Sequence, residues 1–561
     1  MIAIVGAGPA AETVSAALGE ATVETGLDAA DRADLVVVVE QSGHTVFERV
    51  NEVTRASETP WFAVELGGLC GYPLVDAAVT GFAPGGPCYE CLECRVRSNH
   101  DGETSRVPDE TDAATATLAG AVAGYEATRL LDGADVLGRV VFLPYDERPL
   151  LPVPGCDCDS GRDRTLRRDH IDRSVEESLA RAERALDDAV GIVQEVGEAE
   201  SFPVPYYLAQ VCDTAAFSDV TAARKAAGVD TDWNRAFMKA LGEALERYCA
   251  GVYRESEFET GPPAEIAGAV DPSLFVTDDT PAGESIHWVP GEHLQTGEEV
   301  ALPAEFVHYP PPERRYRPAI TTGRGLGNSG IEAILSGLYE VIERDATMLS
   351  WYSTFDPMAL TVEDSIIETL RSRARSEGLS VTLLVVTMDI DVPVVAAAVH
   401  REAWPKFALG TGANLDVTTA ARSALSEALQ NWMELRGMGR ERAASASGAI
   451  GEYAEMPPRA SEFLDADVSV SADTLGPAEM PSGETELETV LDRLDAVGLD
   501  AYAARATTRD VAQIGFESVR VVVPAAQPLC FGEMVFGERA TTVPESLGFS
   551  SRLDRPHHPF P

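Results

Sequence analysis

The sequence predicts an α/β protein that opens with a Rossmann-like parallel sheet and continues into a second, larger unit. Three observations carry this. IAIV (2–5) runs into GAGPAA, and a short strand at 22–25 and the apolar runs LVVVV (35–39) and WFAVEL (61–66) follow, alternating with helical stretches. Five of the nine cysteines sit in two tight clusters. A Gly-rich loop at 321–330 feeds a long apolar helix whose acids recur at three- and four-residue steps, TTGRGLGNSGIEAILSGLYEVIERDA. At 561 residues, two to four domains are expected.

The glycine pair Gly6 and Gly8, with Ala11 in the third place and Glu24 closing the short second strand, is a weak dinucleotide signal. It is read as a device for closing the turn. Next, Cys88 and Cys91 form a CxxC knuckle in GPCYECLEC, and Cys156 and Cys158 follow in PVPGCDCD. Two thiol pairs on tight turns can close a four-thiolate, structural Zn2+ site, with Cys94 able to replace a member of the second pair. Residues 159–200 mix charges at helical spacing and are expected to form a linker helix with solvated arginines.

Two acid-bearing helices follow. In DWNRAFMKALGEALERYCA (232–250), Glu243, Glu246 and Arg247 make E-x-x-E-R; in the second, Glu340, Glu343 and Arg344 repeat it, with Glu332 and Ser336 on the same face. Acids directed one way from otherwise buried helices are costly to desolvate, and a hard cation with phosphate partners offsets that cost. Residues 452–488, rich in Pro, Ser and acids, are expected to be a surface loop or flexible insertion.

These segments resemble the YcaO family, whose members activate peptide-backbone amides with ATP. The likeness rests on GLGNSGIEAILSGLYEVIERDA, EALERYCAG, GTGANLDVTTAARSALSEALQNWM (410–433) and VGLDAYAARATTRDVAQIGFESVRVVVPAAQPLCFGE (497–533), and it implies an α+β YcaO domain over 165–561. The resemblance implies that Glu243, Glu246, Glu340 and Glu343 hold Mg2+. It further implies that Asn328 and Glu332 contact ATP, and that Arg247 and Arg344 steady phosphates or the acids. Glu427, Gln430 and Lys225 are further cofactor-binding candidates; where the family has an arginine four residues before the Glu, this chain has Ser423 beside Arg422. Azoline-forming members tend to end in P-x-P-x-P, so the tail Pro559, Phe560 and Pro561 is a catalytic candidate. His557 and His558 before it are expected to be solvent-exposed.

The strand–helix alternation, PCxxC and later cysteine pair over 1–160 resemble the E1-like partner domain of azoline-forming cyclodehydratases. No lysine precedes Lys225, so this part is expected to be scaffold rather than catalyst. The usual winged-helix peptide clamp is missing in front, which implies a separate leader-peptide-binding protein. A flavin dehydrogenase is a further implied partner, and a homodimer is compatible with the sequence. The activity implied is cyclodehydration of Cys, Ser or Thr to azolines in a ribosomal precursor peptide. The alternatives are thioamide formation, a non-catalytic nucleotide-binding scaffold, and a dinucleotide oxidoreductase.

The net charge is -47, with only three lysines, and the acids are spread along the whole chain. That fits a hydrated, halophilic surface and disfavours nucleic acid as a partner. No 18-residue apolar run occurs, so no membrane span is expected. The start, MIAIVGAGPAA, lacks a charged signal region, and the chain is expected to be cytoplasmic with reduced thiols.

Overall fold

A computed structural model describes residues 1–19, 23–100, 111–144, 146–158, 161–277, 283–445 and 450–560. The first sheet is built from β1 (Ile2–Val5), β2 (Val23–Thr25), β3 (Leu35–Gln41), β4 (Trp61–Leu66), β5 (Ala77–Phe82), β6 (Arg139–Phe142) and β7 (Asp146–Pro149), in the order β2-β1-β3-β4-β5-β6-β7. β1 to β4 are parallel and the last three add antiparallel. Helices α1 (Pro9–Leu18), α2 (Val46–Ser57), α3 (Tyr89–Asn99) and α4 (Ala113–Leu131) accompany it. β3 is apolar because it is covered on both faces, with Val36 and Val38 in one core layer and Val37 and Val39 in the other. Gly6 has φ 128°, and a Cβ there would lie 2.1 Å from the Val39 carbonyl oxygen, so the turn closes directly over β3. The expected strand at 22–25 begins with a residue outside the described ones, as does the Glu24 side chain.

The region expected as one linker helix is mostly something else. Residues 161–173 have no regular secondary structure, and the helix α5 spans only Val175–Ala182, opened by a capping box between Ser174 and Glu177. Its arginines are only in part a solvated face: Arg167, Arg168 and Arg184 are exposed, but others are committed to the backbone. Arg162 donates to the carbonyl oxygens of Val252 (2.8 Å), Thr507 (3.2 Å) and Ala506, and Arg173 donates to those of Asn328 and Gly515, both at 3.0 Å. Backbone acceptors in the following domain, rather than side-chain periodicity, decide this segment's path.

A three-stranded antiparallel sheet follows, β8 (Val193–Glu200), β9 (Tyr206–Val211) and β10 (Lys225–Val229), covered by α6 (Trp233–Gly251). Then come β11 (Glu259–Gly261), β12 (Ile286–His293), β13 (Glu299–Pro303), α7 (Ala304–Val307), β14 (Arg324–Gly327) and α8 (Gly330–Trp351). The chain continues through β15 (Met358–Thr361), α9 (Ser365–Ser376), β16 (Ser380–Val385), β17 (Val394–His400), β18 (Phe407–Ala413), α10 (Val417–Met438), β19 (Ser469–Ser471), β20 (Tyr502–Arg505) and β21 (Glu517–Val522). Two sheets result: β11-β12-β20-β21-β14, with β13 on β12, and β18-β17-β16-β15-β19.

α8 lies between them. Its Ile331, Ile334, Leu338 and Ile342 share one core with Val394 and Ala396 of β17 and Val519 and Val521 of β21, while α10 packs on the other face of β17 and β18. The stretch expected as a loop or insertion at 452–488 is ordered: it holds a helix at Pro458–Leu464 and β19, which pairs parallel to β15. Phe463, buried among Trp351 and Phe560, gives it an apolar anchor that composition hides.

Candidate active site

One local unit occurs three times. β10 leads to α6, β14 to α8 and β18 to α10, each helix capped by a side chain at its N-terminus: Asp232, Ser329 and Asp416. In each strand a glycine faces a helix backbone. A Cβ on Gly228 would come within 2.2 Å of Ala240 N, on Gly325 within 2.0 Å of Ala333 O, and on Gly410 within 2.3 Å of Ala428 N. The close approach lets a main-chain N–H beside each strand reach the first acid of the helix. Ala227 N–H donates to Glu243 (2.5 Å), Gly323 N–H to Glu340 (3.0 Å) and Thr411 N–H to Glu427 (2.5 Å). The helix sequences are EALERY (243–248), EVIERD (340–345) and EALQNW (427–432), so Gln430 stands where Glu246 and Glu343 do.

The three units converge. Burial raises the Glu246 pKa from 4.5 to about 8, reinforced by the neighbouring charges of Glu340 and Glu243. Burial likewise raises Glu340 and Glu427, and each feels Glu343 as well. The Thr411 hydroxyl donates to Glu343 at 2.5 Å. For Arg344, burial works against the charge, but Glu343, Glu427 and Glu340 outweigh it and raise its pKa. Arg247 donates to Glu243 through Nε (3.0 Å) and Nη2 (2.5 Å). Opposite lie two arginines that the sequence reading did not select, Arg324 of β14 and Arg520 of β21, adjacent in the ladder register and almost fully buried. Burial pushes Arg324 down to about 10 despite the pull of Glu246 and Glu340, and Arg520 falls further beside Arg324 and Arg317. Among the described residues, no three of these carboxylates gather within 4.8 Å as the cysteines do. Their donor chemistry fits Mg2+ shared with phosphate oxygens rather than an all-protein cage.

A cavity of about 480 Å3 opens from this cluster, lined by Glu243 and Glu246 at one side and by Asn328, Glu332 and Ser336 at the other. Asn328 is held in place: its N–H and Nδ2 donate to Glu332, and its Oδ1 accepts from Ser178. Lys225 is not part of this wall. It is exposed at the start of β10, opposite Gln210, because its strand register turns it away. The lining cations are Arg235 and Lys239 of α6 and Arg173 of the segment before α5. Helical spacing would have found the first two, since 235, 239, 243 and 246 fall on one face. Gln430 instead donates to Glu434 (3.0 Å).

The tail is docked. Phe560 is buried edge-on to Trp351 and Phe463, and the Pro556 carbonyl accepts from Trp351 Nε1 at 3.2 Å, at the C-terminal end of α8. His558, expected in solvent, is buried, its Nε2 2.9 Å from the Cys530 carbonyl oxygen. Burial, reinforced by the neighbouring His557, lowers its pKa to about 3 against the opposing hydrogen bond to Cys530. Pro559 lies between His558 and Phe560 in this docked stretch. Pro561 lies outside the described residues.

Cys88, Cys91, Cys156 and Cys158 bring their sulfurs within 4.8 Å of one another, with pairs at 3.4, 3.6 and 3.9 Å. Thiolates about 2.3 Å from a tetrahedral Zn2+ stand roughly 3.8 Å apart, so the set fits that ion. Cys94 is outside the quartet and accepts from Arg97.

A family model described as YcaO cyclodehydratase, ATP- and Mg2+-binding, matches residues 227–527. An uncharacterized protein of Methanothermobacter thermautotrophicus is 31% identical over 314 residues, 54% of this chain and 81% of its own. A solved heterocyclase in complex with substrate and cofactor superposes with TM-score 0.74 and 20% identity over 100% of this chain and 85% of that one. The YcaO protein of Methanopyrus kandleri bound with AMPPCP and Mg2+ superposes with TM-score 0.52 and 25% identity, over 64% and 95% of the two chains. The family match starts in β10 and ends just after β21, leaving the first sheet outside it: this chain belongs to the YcaO cyclodehydratase family and carries a further α/β domain fused ahead of the family's own.

Proposed function

We propose that this chain uses ATP and Mg2+ to activate a backbone amide and cyclodehydrates Cys, Ser or Thr to azolines in a ribosomally made peptide. The observation that carries this is the convergence of acids from α6, α8 and α10, with Arg344 of α8 3.6 Å from Glu343 and 3.9 Å from Glu427 of α10, and Glu246 of α6 feeling the charge of Glu340. Bound Mg2+ would neutralise phosphate charge during transfer. Glu243, Glu246, Glu340 and Glu343 would hold it, with Glu427 beside them, while Asn328 and Glu332 position the nucleotide. A peptide side-chain nucleophile adds to the preceding carbonyl carbon with loss of its own proton. The carbonyl oxygen attacks the terminal phosphorus of ATP and ADP leaves. The C–O bond then breaks, releasing phosphate, as the amide nitrogen loses its proton to form the C=N bond of the azoline. The tail at Pro559 and Phe560, docked against Trp351 at the end of α8, would border the peptide side of the site. Residues 1–160 would be an E1-like scaffold closed by a structural Zn2+ on the four cysteines, and 165–561 the YcaO domain.

The test is full-length protein with ATP, Mg2+ and candidate precursor peptides, read by mass. Loss of one water per modified residue, with matching phosphate release, supports the proposal. Exchange of oxygen for sulfur when sulfide is supplied would move the reading to thioamide formation, and nucleotide binding without peptide-dependent phosphate release would leave a scaffold. Elemental analysis should give one zinc per chain; none would remove the thiolate site.

A further inference from the structure

We propose that the cavity of about 550 Å3 between the Cys156 turn and the end of α6 is a second ligand site, one that binds an oxyanion-bearing molecule. Its walls come from four stretches: the cysteine turn with the segment after it, Phe217, the residues after α6, and Thr508–Arg509. Among the described residues, four guanidinium groups line it, from Arg162, Arg164, Arg254 and Arg509, against two carboxylates, Asp157 and Glu257. The chain as a whole has 91 acidic residues to 44 basic ones, so this wall inverts the charge of the rest of the molecule. A local positive concavity in a negative protein concentrates anions where the remaining surface repels them.

The four arginines do different things. Arg162 is committed to carbonyl oxygens of the scaffold, and Arg509 donates to Gly85 O (3.2 Å) and Cys158 O (3.4 Å). They supply charge. Arg164 gives Nη2 to Glu257 at 3.0 Å, but its Nη1 is buried and meets no partner. A buried charged donor left unmatched bears its full desolvation cost, which an incoming oxyanion would remove. Arg254 has its nearest acid, Asp219, only at 3.9 Å. Its stem crosses Gly155, where φ is 71° and a Cβ would sit 3.0 Å from Arg254 Nε, so the glycine admits the arginine over the cavity. Burial depresses Arg162 to about 10, and the adjacent Arg164 adds to the shift.

The volume lies within the roughly 300–1,000 Å3 range of small-ligand sites and exceeds what one phosphate fills. It suits a phosphorylated small molecule or a short run of carboxylate side chains, since planar guanidinium groups grip both in the same forked way. The site shares no lining residue with the nucleotide cavity, so it stands whether or not the chain turns over ATP.

Calorimetry on the full-length protein, without ATP or Mg2+, tests this with two probes titrated separately: inorganic phosphate and a tetraglutamate peptide. Saturable binding of either, at one per chain, is expected, and the probe that binds identifies the source of the oxyanion. Arg254→Ala, at a side chain already 41% exposed, should keep the fold and weaken binding about tenfold or more. Arg164→Gln should do the same, while Lys239→Ala in the other cavity should change nothing. The proposal is overturned if neither probe saturates, if Arg254→Ala binds like the parent, or if Lys239→Ala is the variant that weakens binding.

Discussion

At the scale of single residues, burial raises the pKa of three acids of the site, Glu246, Glu340 and Glu427. Glu340 accepts a main-chain N–H from Gly323 and sits between Arg344 and Glu343, so its carboxylate is oriented as well as charged. Replacing it by Gln keeps the shape and removes the charge. Glu340→Gln should lower peptide-dependent phosphate release by about 100-fold or more, the scale of losing one charge-stabilising group, with an unchanged thermal midpoint. Retained turnover would count against its role.

Glu246 gives a pH signature. Its folded pKa is raised from 4.5 to about 8, so the ligand-free fold prefers the neutral acid. The stability this group contributes is fully present below pH 4.5 and is lost as pH climbs towards 8. A cation needs the ionised form. Binding of the Mg2+ nucleotide should therefore release a proton and tighten from pH 6 to about 8, visible as buffer-dependent heats in titration calorimetry. Buffer-independent heats with Glu246 intact would contradict this.

At the scale of elements, the recurring strand–helix unit explains the spacing of the motifs. E-x-x-E-R is legible twice in the sequence, because an identical pattern on alanine-rich helices draws the eye. The third copy, EALQNW, was harder to recognise because Gln and Asn replace the charged pair, yet Gly410 and the Thr411 N–H hold Glu427 as their counterparts hold Glu243 and Glu340. The outward turn of Lys225 has a related cause: strand alternation decides which way a side chain turns, and the register with β9 is a tertiary fact. The tail is the other element that packing defines. Phe560→Ala should detach residues 556–560 from Trp351 and Phe463, read as faster amide exchange there, and should reduce turnover more than nucleotide binding. Unaltered exchange and rate would show that the docking is dispensable.

At the scale of the whole molecule, the two halves share a core. Arg95 of the cysteine-bearing helix α3 is fully buried against Asp510 and donates to Tyr248 (3.3 Å) and Pro152 O (2.7 Å), while Tyr248 donates to Asp510 at 2.7 Å. Tyr248 directly follows Arg247, so the knot of the first domain is wired to an acid helix of the second. Arg95→Met leaves Asp510 buried without its cation and should cost about 3–5 kcal/mol in denaturant unfolding. A loss under about 1 kcal/mol would show the halves to be independent. The net charge of -47 predicts a thermal midpoint that rises with KCl as self-repulsion is screened; a midpoint that holds or rises on dialysis into low salt would refute it. No helix among the described residues is long and apolar enough to cross a membrane.

The sequence by itself determined the Rossmann-like opening, the two thiol pairs and the two acidic helices, because periodicity, spacing and residue chemistry are local properties of a chain. It could not decide which of Cys94 and its neighbours close the quartet, that Arg324 and Arg520 face the acids, or that residues 161–173 form no helix. Those depend on strand register and on which distant carbonyl, sulfur or carboxylate arrives alongside, and such partners exist only once separate segments pack together.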